Sequence, residues 1–285
     1  MKKTFIAASV LALSFAILAS CSEKPLSGSR YVVKEAAGYN DSSVGSHKNE
    51  YVIAENKFES EKAHANEQKT VEWLGKSYTA VYKETATKPS DKYREYTGDG
   101  FSFSVDTETG KLTDFSFSEV DNTGLTEKTE DERRAAADDV VKALVSDPEN
   151  YSLIKSECFY SAGTDSIWVY NYSRMIDGMK SEDQISVYIT YYGTYMSHSS
   201  SALEKYKNIS VPATYDKADV ENALDIKLDS IYGKAKKDSS VTCPDGYGDG
   251  MLMKLTNGGL GVVYRFSVTV NQQSEPVCLV VELGK

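Results

Sequence analysis

The sequence predicts an α+β protein of two tandem units, each with one helix packed on an antiparallel sheet, preceded by a β-rich N-terminal segment. Short stretches of alternating apolar and polar residues, typical of half-buried strands, are grouped behind two stretches of helical periodicity. Strands grouped after a helix favour antiparallel pairing, whereas strands alternating singly with helices favour a parallel sheet. The order of one helix and several strands occurs twice, which indicates an internal duplication.

The composition supports a folded chain and excludes several classes of protein. The 285 residues are 40% hydrophobic and 11% aromatic, which is enough to fill a core and rules out disorder throughout. A net charge of −10 would repel a nucleic-acid backbone, so we expect no nucleic-acid partner. A mean hydropathy of −0.43 excludes a protein with many membrane spans.

Residues 1–20 have the pattern of a secretory signal peptide, because two lysines precede an apolar stretch from Phe5 to Ala19. The stretch is too short for a membrane-spanning helix. The following Leu18-Ala19-Ser20-Cys21 resembles the lipobox of bacterial lipoproteins. This resemblance implies a diacylglyceryl group on the Cys21 sulfur, cleavage before Cys21, and anchoring at the extracytoplasmic face of the cell membrane.

Residues 21–50 are rich in Ser, Gly, Lys and Glu, which predicts a flexible tether between the anchor and the folded part. Residues 51–122 form the predicted β-rich segment. Its clearest element is a hairpin at Phe101–Phe117, in which Ser102 and Ser104 share the face opposite the aromatic residues.

The first helix-plus-sheet unit is predicted at residues 123–202. Thr129 and Glu132 have the spacing of a capping box, in which the hydroxyl and the carboxylate bond free amides at the start of a helix. Apolar residues at helical spacing follow, and Asp147-Pro148 ends the helix. Four strand-like stretches complete the unit.

The second unit is predicted at residues 203–285. Asp216 begins its helix, Gly233 ends it, and four strand-like stretches follow. The duplication aligns the sequence Val-Tyr-Asn-Tyr-Ser at 169–173 with Val-Tyr-Arg-Phe-Ser at 263–267.

Two motifs resemble a known family. Residues 105–112 (Val-Asp-Thr-Glu-Thr-Gly-Lys-Leu) resemble the strand–turn–strand ending of PepSY-type domains. Residues 172–178 (Tyr-Ser-Arg-Met-Ile-Asp-Gly), followed by Ile-Ser-Val-Tyr-Ile at 185–189, are similar to the YcdB/YpeB-like branch of that group. The resemblance covers residues 88–285. It implies exported, often tandem modules that inhibit, chaperone or bind peptidases and other envelope proteins, and it implies no catalytic residues.

No known catalytic or metal-binding motif is present. The histidines are His47, His64 and His198, and neither a G-x-S-x-G nor an H-E-x-x-H sequence occurs. The glycine-rich stretch 245–250 lacks the ligand positions of a calcium loop. We therefore predict a protein that is not an enzyme and needs no metal or cofactor. A pair of glycosidase carboxylates stays open, because its members need not be close in sequence.

Three cysteines remain besides Cys21, namely Cys158, Cys243 and Cys278. The export compartment permits disulfides without requiring them. A bridge between Cys243 and Cys278 and a set of buried free thiols are both compatible with the sequence.

The 20 tyrosines include two rows at strand spacing. Such rows serve either sheet packing or an exposed aromatic face that receives a peptide strand or a sugar ring. In the second case, Arg174 and Asp177 lie at the rim of the aromatic face. The residues of this candidate binding face are Trp168, Tyr170, Tyr172, Arg174, Asp177, Tyr188 and Tyr192.

The sequence thus predicts a lipid-anchored, extracytoplasmic binding or regulatory module that acts on another cell-envelope protein, such as a peptidase, without catalysis of its own. The alternative is a cell-wall glycan-binding protein or hydrolase that uses a tyrosine-rich sheet face.

Overall fold

The computed structural model divides the chain into two units. Unit 1 comprises Met1–Tyr39 and Val211–Lys285, and unit 2 comprises Asn40–Ser210. The structure describes residues 28, 30–35, 66–83, 93–233, 236, 241–243, 245–255 and 258–283. The predicted signal peptide, the lipidation site Cys21 and most of the predicted tether lie outside the described residues, so these predictions are not tested by the fold.

Unit 2 is built on an antiparallel sheet. Its strands are β2 (Gln68–Trp73), β3 (Lys76–Tyr82), β4 (Tyr93–Thr97), β5 (Phe101–Asp106), β6 (Leu112–Phe117), β7 (Tyr151–Tyr160), β8 (Ile167–Ile176), β9 (Met179–Thr190) and β10 (Tyr195–Ser201). Their order across the sheet is β2-β3-β4-β5-β6-β10-β9-β8-β7. The predicted hairpin is confirmed, since Phe101 pairs with Phe117 across β5 and β6.

Helix α1 (Glu130–Leu144) supplies the helical part of the unit 2 core. The predicted capping box is confirmed, because the Thr129 hydroxyl accepts from the Glu132 amide and the Glu132 carboxylate accepts from the Thr129 amide. The buried apolar side chains of α1 pack in one cluster with the fully buried Ile185 and Val187 of β9. One face of the sheet is therefore covered, and we call it the core face.

Unit 1 combines one strand from before unit 2 with four strands from after it. These strands are β1 (Val32–Glu35), β11 (Val241–Thr242), β12 (Met251–Lys254), β13 (Leu260–Val270) and β14 (Gln273–Leu283). Strand β1 pairs with β14 along its length, and the Lys34 ammonium donates to the Glu282 carboxylate at 2.7 Å. Strand β13 pairs with β14, β12 and β11. All these pairs are antiparallel.

Helix α2 (Lys217–Tyr232) packs against β1 and β14 of unit 1. The predicted start at Asp216 is confirmed, because its carboxylate accepts from two amides of the first turn. The Tyr31 hydroxyl accepts from the Asp216 amide at 2.8 Å and donates to the Thr214 carbonyl at 3.2 Å, which ties β1 to the helix start. Gly233 ends the helix with a φ of 54°, a conformation that glycine adopts without a steric penalty.

The predicted fold class is wrong. The described residues contain fourteen strands and only two helices, so the chain is mostly β-sheet and not two tandem helix-on-sheet units. Strand β6 pairs with β10, with Ser116 opposite Ser197, so the β-rich segment and the strands after α1 form one sheet. Unit 1 also differs from the predicted second unit, because β1, which lies within residues predicted as a tether, pairs with β14. Alternating sequence patterns identify strands but do not identify their neighbours.

Two sequence questions are answered within the described residues. Cys158 and Cys243 are free thiols, Cys158 is exposed and Cys243 is half-buried, so the bridge between Cys243 and Cys278 is not formed. None of the described helices has the length and apolar character needed to cross a membrane.

Candidate functional site

The side of the unit 2 sheet opposite the core face has a row of small hydroxyl side chains. Ser104 of β5 pairs with Asp114 of β6, which pairs with Ser199 of β10. The adjacent row on the same side pairs serines on the same three strands. We call this surface the serine face, and its members are Ser102, Ser104, Asp114, Ser116, Ser197 and Ser199.

The serine face faces away from the core because its residues alternate with buried aromatic residues. Phe103 and Phe115 are 1% and 0% exposed, and they stack at 6.3 Å on the core face. Since side chains alternate between the two faces of a strand, their neighbours Ser104 and Asp114 point to the other side.

A groove of about 410 Å³ lies over the serine face. Tyr93 of β4 lines it at one end and Tyr188 of β9 at the other, four strands away. Tyr93 is 47% exposed, and the Tyr188 ring packs edge-on against the exposed Phe159 at 5.2 Å. The hydroxyl groups can accept and donate hydrogen bonds. The two accessible aromatic rings can stack on apolar surfaces, so the groove suits a polar ligand with apolar edges.

Four serine hydroxyls of this face form no hydrogen bond with other described residues; they belong to Ser102, Ser104, Ser197 and Ser199. The Ser116 hydroxyl donates to the Phe117 carbonyl, at a long distance of 3.4 Å. Polar groups in the interior of a protein are normally bonded. The partly buried hydroxyls therefore retain capacity for bonds to water or to a ligand.

Asp114 is the carboxylate at the centre of the groove. Burial raises its pKa to about 6, the Thr113 side chain opposes this shift, and the carboxylate of Glu95 adds to it. Glu95 also lines the groove, on β4, and forms an ion pair with Lys83 at 2.9 Å. No described lysine or arginine forms an ion pair with Asp114.

His198 lies on the core face, although it is part of the β10 segment that lines the groove. Its Nδ1 is 2.7 Å from the Tyr195 hydroxyl, and its ring packs on Trp73 at 4.6 Å. Burial lowers the pKa of His198 to about 3, which keeps the imidazole neutral. The imidazole forms no hydrogen bond with a serine-face hydroxyl among the described residues, so it is not placed as a base for these serines.

The predicted row of Trp168, Tyr170 and Tyr172, on β8, lies on the core face. Tyr170 is 0% exposed, and Tyr172 is 3% exposed with its hydroxyl donating to Asp138 at 2.6 Å. The half-buried Trp168 lies under the Arg133 guanidinium at 3.9 Å. These three residues cannot be part of an exposed aromatic face, because α1 and the rest of the core cover them.

Arg174, predicted at the rim of the exposed aromatic face, is also buried. Its guanidinium bonds Asp183 at 3.1 Å and Asp147 at 2.6 Å, and it lies 4.9 Å from the centre of the Tyr151 ring. The Tyr151 hydroxyl donates to Asp183 at 2.8 Å. The buried ion cluster therefore comprises Tyr151, Asp147, Arg174 and Asp183.

Ionisation in the buried ion cluster follows from these contacts. Burial raises the pKa of Asp183 to about 6, while Tyr151 and Arg174 oppose the shift. The bond from Arg174 lowers the pKa of Asp147. Burial acts to lower the pKa of Arg174, but Asp147 and Tyr151 hold it above its ordinary value, so the guanidinium stays charged.

The three remaining predicted residues do not lie beside the row of Trp168, Tyr170 and Tyr172. Tyr188 pairs with Val169 and so lies on the side of the serine face, opposite Trp168. Asp177 is exposed in the turn between β8 and β9, with a φ of 49°. Tyr192 is half-buried in the turn after β9, edge-on to Tyr191 at 5.3 Å. Of the seven predicted residues, Tyr188 alone lines the groove.

A second cleft, of about 490 Å³, lies beside α1. Its lining includes Arg134 and Lys142 as well as Asp138 and Glu149, so charges of both signs alternate around it. The Tyr172 hydroxyl, which lines it, is already bonded to Asp138. The cleft therefore offers no charge preference for a ligand. The described residues also contain no group of three or more His, Cys, Asp or Glu side chains that could hold a metal ion.

Sequence reasoning missed the serine face and the buried ion cluster, although signals for both were present. Ser102 and Ser104 alternate with phenylalanines, and Asp114 and Ser116 do the same on the next strand. Asp183 continues the alternating row of Ile185 and the following apolar residues of β9. An acidic residue in an apolar row predicts a buried charge that needs a partner.

Comparison with protein families, with curated proteins and with solved structures finds no match for this chain. The resemblance to PepSY-type domains therefore stays a prediction.

Proposed function

We propose that this chain is a lipid-anchored module at the extracytoplasmic face of a cell membrane that binds another envelope protein, such as a peptidase, without catalysis of its own. The lipid is attached at Cys21, by the lipobox resemblance. The serine face of unit 2 is the docking surface.

The main support for this proposal is that polar groups of the serine face are not bonded by other described residues. Four hydroxyls have no bond to other described residues, and the central carboxylate Asp114 has no described cation. Polar groups that the protein does not bond are bonded by water when they are accessible, so a docking partner can replace that water with its own hydrogen bonds. The accessible rings of Tyr93 and Tyr188 supply the aromatic contacts that are enriched at protein interfaces.

The arrangement supports binding over catalysis. Hydrolysis by a serine needs a base within hydrogen-bond reach of the hydroxyl. His198 is neutral, buried and bonded to Tyr195 on the core face. The groove is open along the sheet, and its ionisable groups Glu95 and Asp114 are on strands separated by β5.

Site-specific photocrosslinking in intact cells tests the docking surface. Benzoylphenylalanine is introduced at Tyr93, which is 47% exposed in the groove, and separately at Leu125, which is 48% exposed outside the groove lining. We expect the Tyr93 position to capture one envelope protein in the membrane fraction at a yield at least fivefold above that of Leu125. Mass spectrometry of the product identifies the partner.

Equal capture from both positions would show that crosslinking reports exposure alone, and it would remove the serine face as the docking surface. Capture of cytoplasmic proteins, or recovery of the chain in the aqueous fraction, would contradict the proposed location.

A second candidate function is recognition or hydrolysis of a cell-wall glycan. The observation that favours it is the row of hydroxyls between two aromatic rings, because sugar rings present hydroxyl edges and apolar faces to such a surface. Glu95 and Asp114 lie on the same side of the sheet, with Cα atoms about 10 Å apart across two strand spacings. Retention on insoluble cell-wall glycan, or release of sugar from it, together with no protein captured at Tyr93, would favour this candidate.

A further inference from the structure

Unit 2 pairs several of its partly or fully buried carboxylates with cations of the chain itself, and others with tyrosine hydroxyls. Asp183 and Asp147 bond the Arg174 guanidinium, and Asp106 lies 3.1 Å from the Lys205 ammonium. Glu204 pairs with Lys111 in the same way. These partly or fully buried carboxylates each have a cation from the chain itself.

Asp114 lacks such a cation among the described residues. The carboxylate closest to it across the sheet, Glu95, is paired with Lys83, which leaves the negative charge of Asp114 without a described counter-ion. A desolvated charge without a partner is unfavourable, and a ligand cation removes that penalty when it binds. The acidic chain, with its net charge of −10, also attracts cationic partners over a longer range.

The surroundings of Asp114 fit an ammonium group. Ser104 and Ser199 are its partners on the two flanking strands, each about 5 Å away between strands. An ammonium has three hydrogens, so it can donate to the carboxylate and to both flanking hydroxyl oxygens. A guanidinium is planar and prefers a bidentate carboxylate, a geometry for which the flanking hydroxyls are not needed.

The groove also accommodates the stem of a lysine. Its volume is about 410 Å³, and Tyr93 at one end offers an aromatic surface for methylene groups. We propose that Asp114 receives the ammonium of a lysine from the envelope protein that docks on the serine face. This inference rests on the proposed function, since it concerns how the same surface recognises its partner.

Carbodiimide crosslinking in intact cells tests the inference directly. The reagent joins a carboxylate to an amine in an amide bond only where the two are in contact, and the carbodiimide takes up the water that is lost. We expect a crosslinked peptide that links Asp114 to a lysine of the protein captured at Tyr93. In cells with Asp114→Asn, this link should disappear, and photocapture at Tyr93 should fall at least fivefold.

Two variants serve as controls. Asp114→Glu keeps the charge and should retain at least half of the photocapture, whereas Asp99→Asn removes an exposed carboxylate outside the groove lining and should leave capture unchanged. Thermal unfolding of each variant checks that the fold is intact.

The outcomes separate the two proposals. Photocapture at Tyr93 that persists in Asp114→Asn, with no lysine linked to Asp114 in the native protein, would overturn the lysine contact and leave the docking surface standing. Absence of any protein captured at Tyr93 would overturn the docking surface itself, and the lysine contact with it.

Discussion

Asp183 and Asp114 lie on opposite faces of one sheet, and burial raises the pKa of each to about 6. Asp183, on the core face, is fully buried and bonds both Arg174 and Tyr151. Asp114, in the groove of the serine face, has no described cation and faces the carboxylate of Glu95. The same perturbation of a pKa therefore arises in two different environments.

A perturbed pKa therefore does not by itself mark a functional group. Perturbed groups are found in structural ion pairs as well as in active and binding sites. The partners decide which case applies. Asp183 has its charge partner within the fold and is structural, whereas no described cation pairs with Asp114.

The largest expected effect is that of Arg174→Met. The substitution leaves Asp183 buried without its cation, which should lower the free energy of unfolding by about 3–5 kcal/mol. Urea unfolding measures the change. The double variant Arg174→Met with Asp183→Leu removes both charges and should recover at least half of the loss. A loss of less than about 1 kcal/mol in the single variant would contradict the structural role of Asp183, because Arg174 would then not be acting as its buried partner.

The two aspartates should respond in opposite directions to the same isosteric change. At pH 7, Asp183→Asn removes charged hydrogen bonds to Arg174 and should lower the free energy of unfolding by about 2 kcal/mol. Asp114→Asn removes an unpaired, partly desolvated charge and should raise it by up to about 1 kcal/mol, after allowance for solvent screening. Urea unfolding of both variants at one pH gives the signs. Destabilisation by both would show that Asp114 has a partner in the folded chain.

The pH dependence of the Asp114→Asn effect should be the smallest but most specific signal. A carboxyl whose folded pKa is raised from 3.8 to about 6 contributes stability that is complete below pH 4 and is lost as the pH rises through 6. The Asp114→Asn variant does not lose this stability. The difference in free energy of unfolding between the variant and the native chain should therefore grow by about 1 kcal/mol between pH 4 and pH 7. Glu95, which acts electrostatically on Asp114, and its partner Lys83 are retained in both proteins, so their titration largely cancels. A constant difference across this pH range would contradict the raised pKa.

Local patterns in the sequence predicted the local elements well. The capping box at Thr129, the cap at Asp216 and the Phe101–Phe117 hairpin each depend on residues within a few positions of one another. Such signals can be recognised in a short segment alone, because the hydrogen bonds that they predict form between residues of that segment.

Local patterns did not predict that the β-rich segment and the strands after α1 form one sheet. They also did not predict which face of that sheet α1 covers. Strand β6 pairs with β10 over only three residues, and their one serine–serine pair, Ser116 with Ser197, gives no preference for one neighbouring strand over another. Alternation correctly placed Tyr170 and Tyr172 on one face, but whether that face is covered depends on where α1 packs. The candidate site was missed for the same reason, since its members are spread over β4, β5, β6, β9 and β10.

The pairing of β1 with β14 affects the order in which the two units can be completed during synthesis. All strands of unit 2 are present once residue 210 has left the ribosome. Strand β1 is synthesised earlier. The ion pair between Lys34 and Glu282 can form only after Glu282, 248 residues later in the chain, has been synthesised. Contacts between such distant residues form late, because a long loop must close first. The unit that contains the first described strand is therefore the last to be completed.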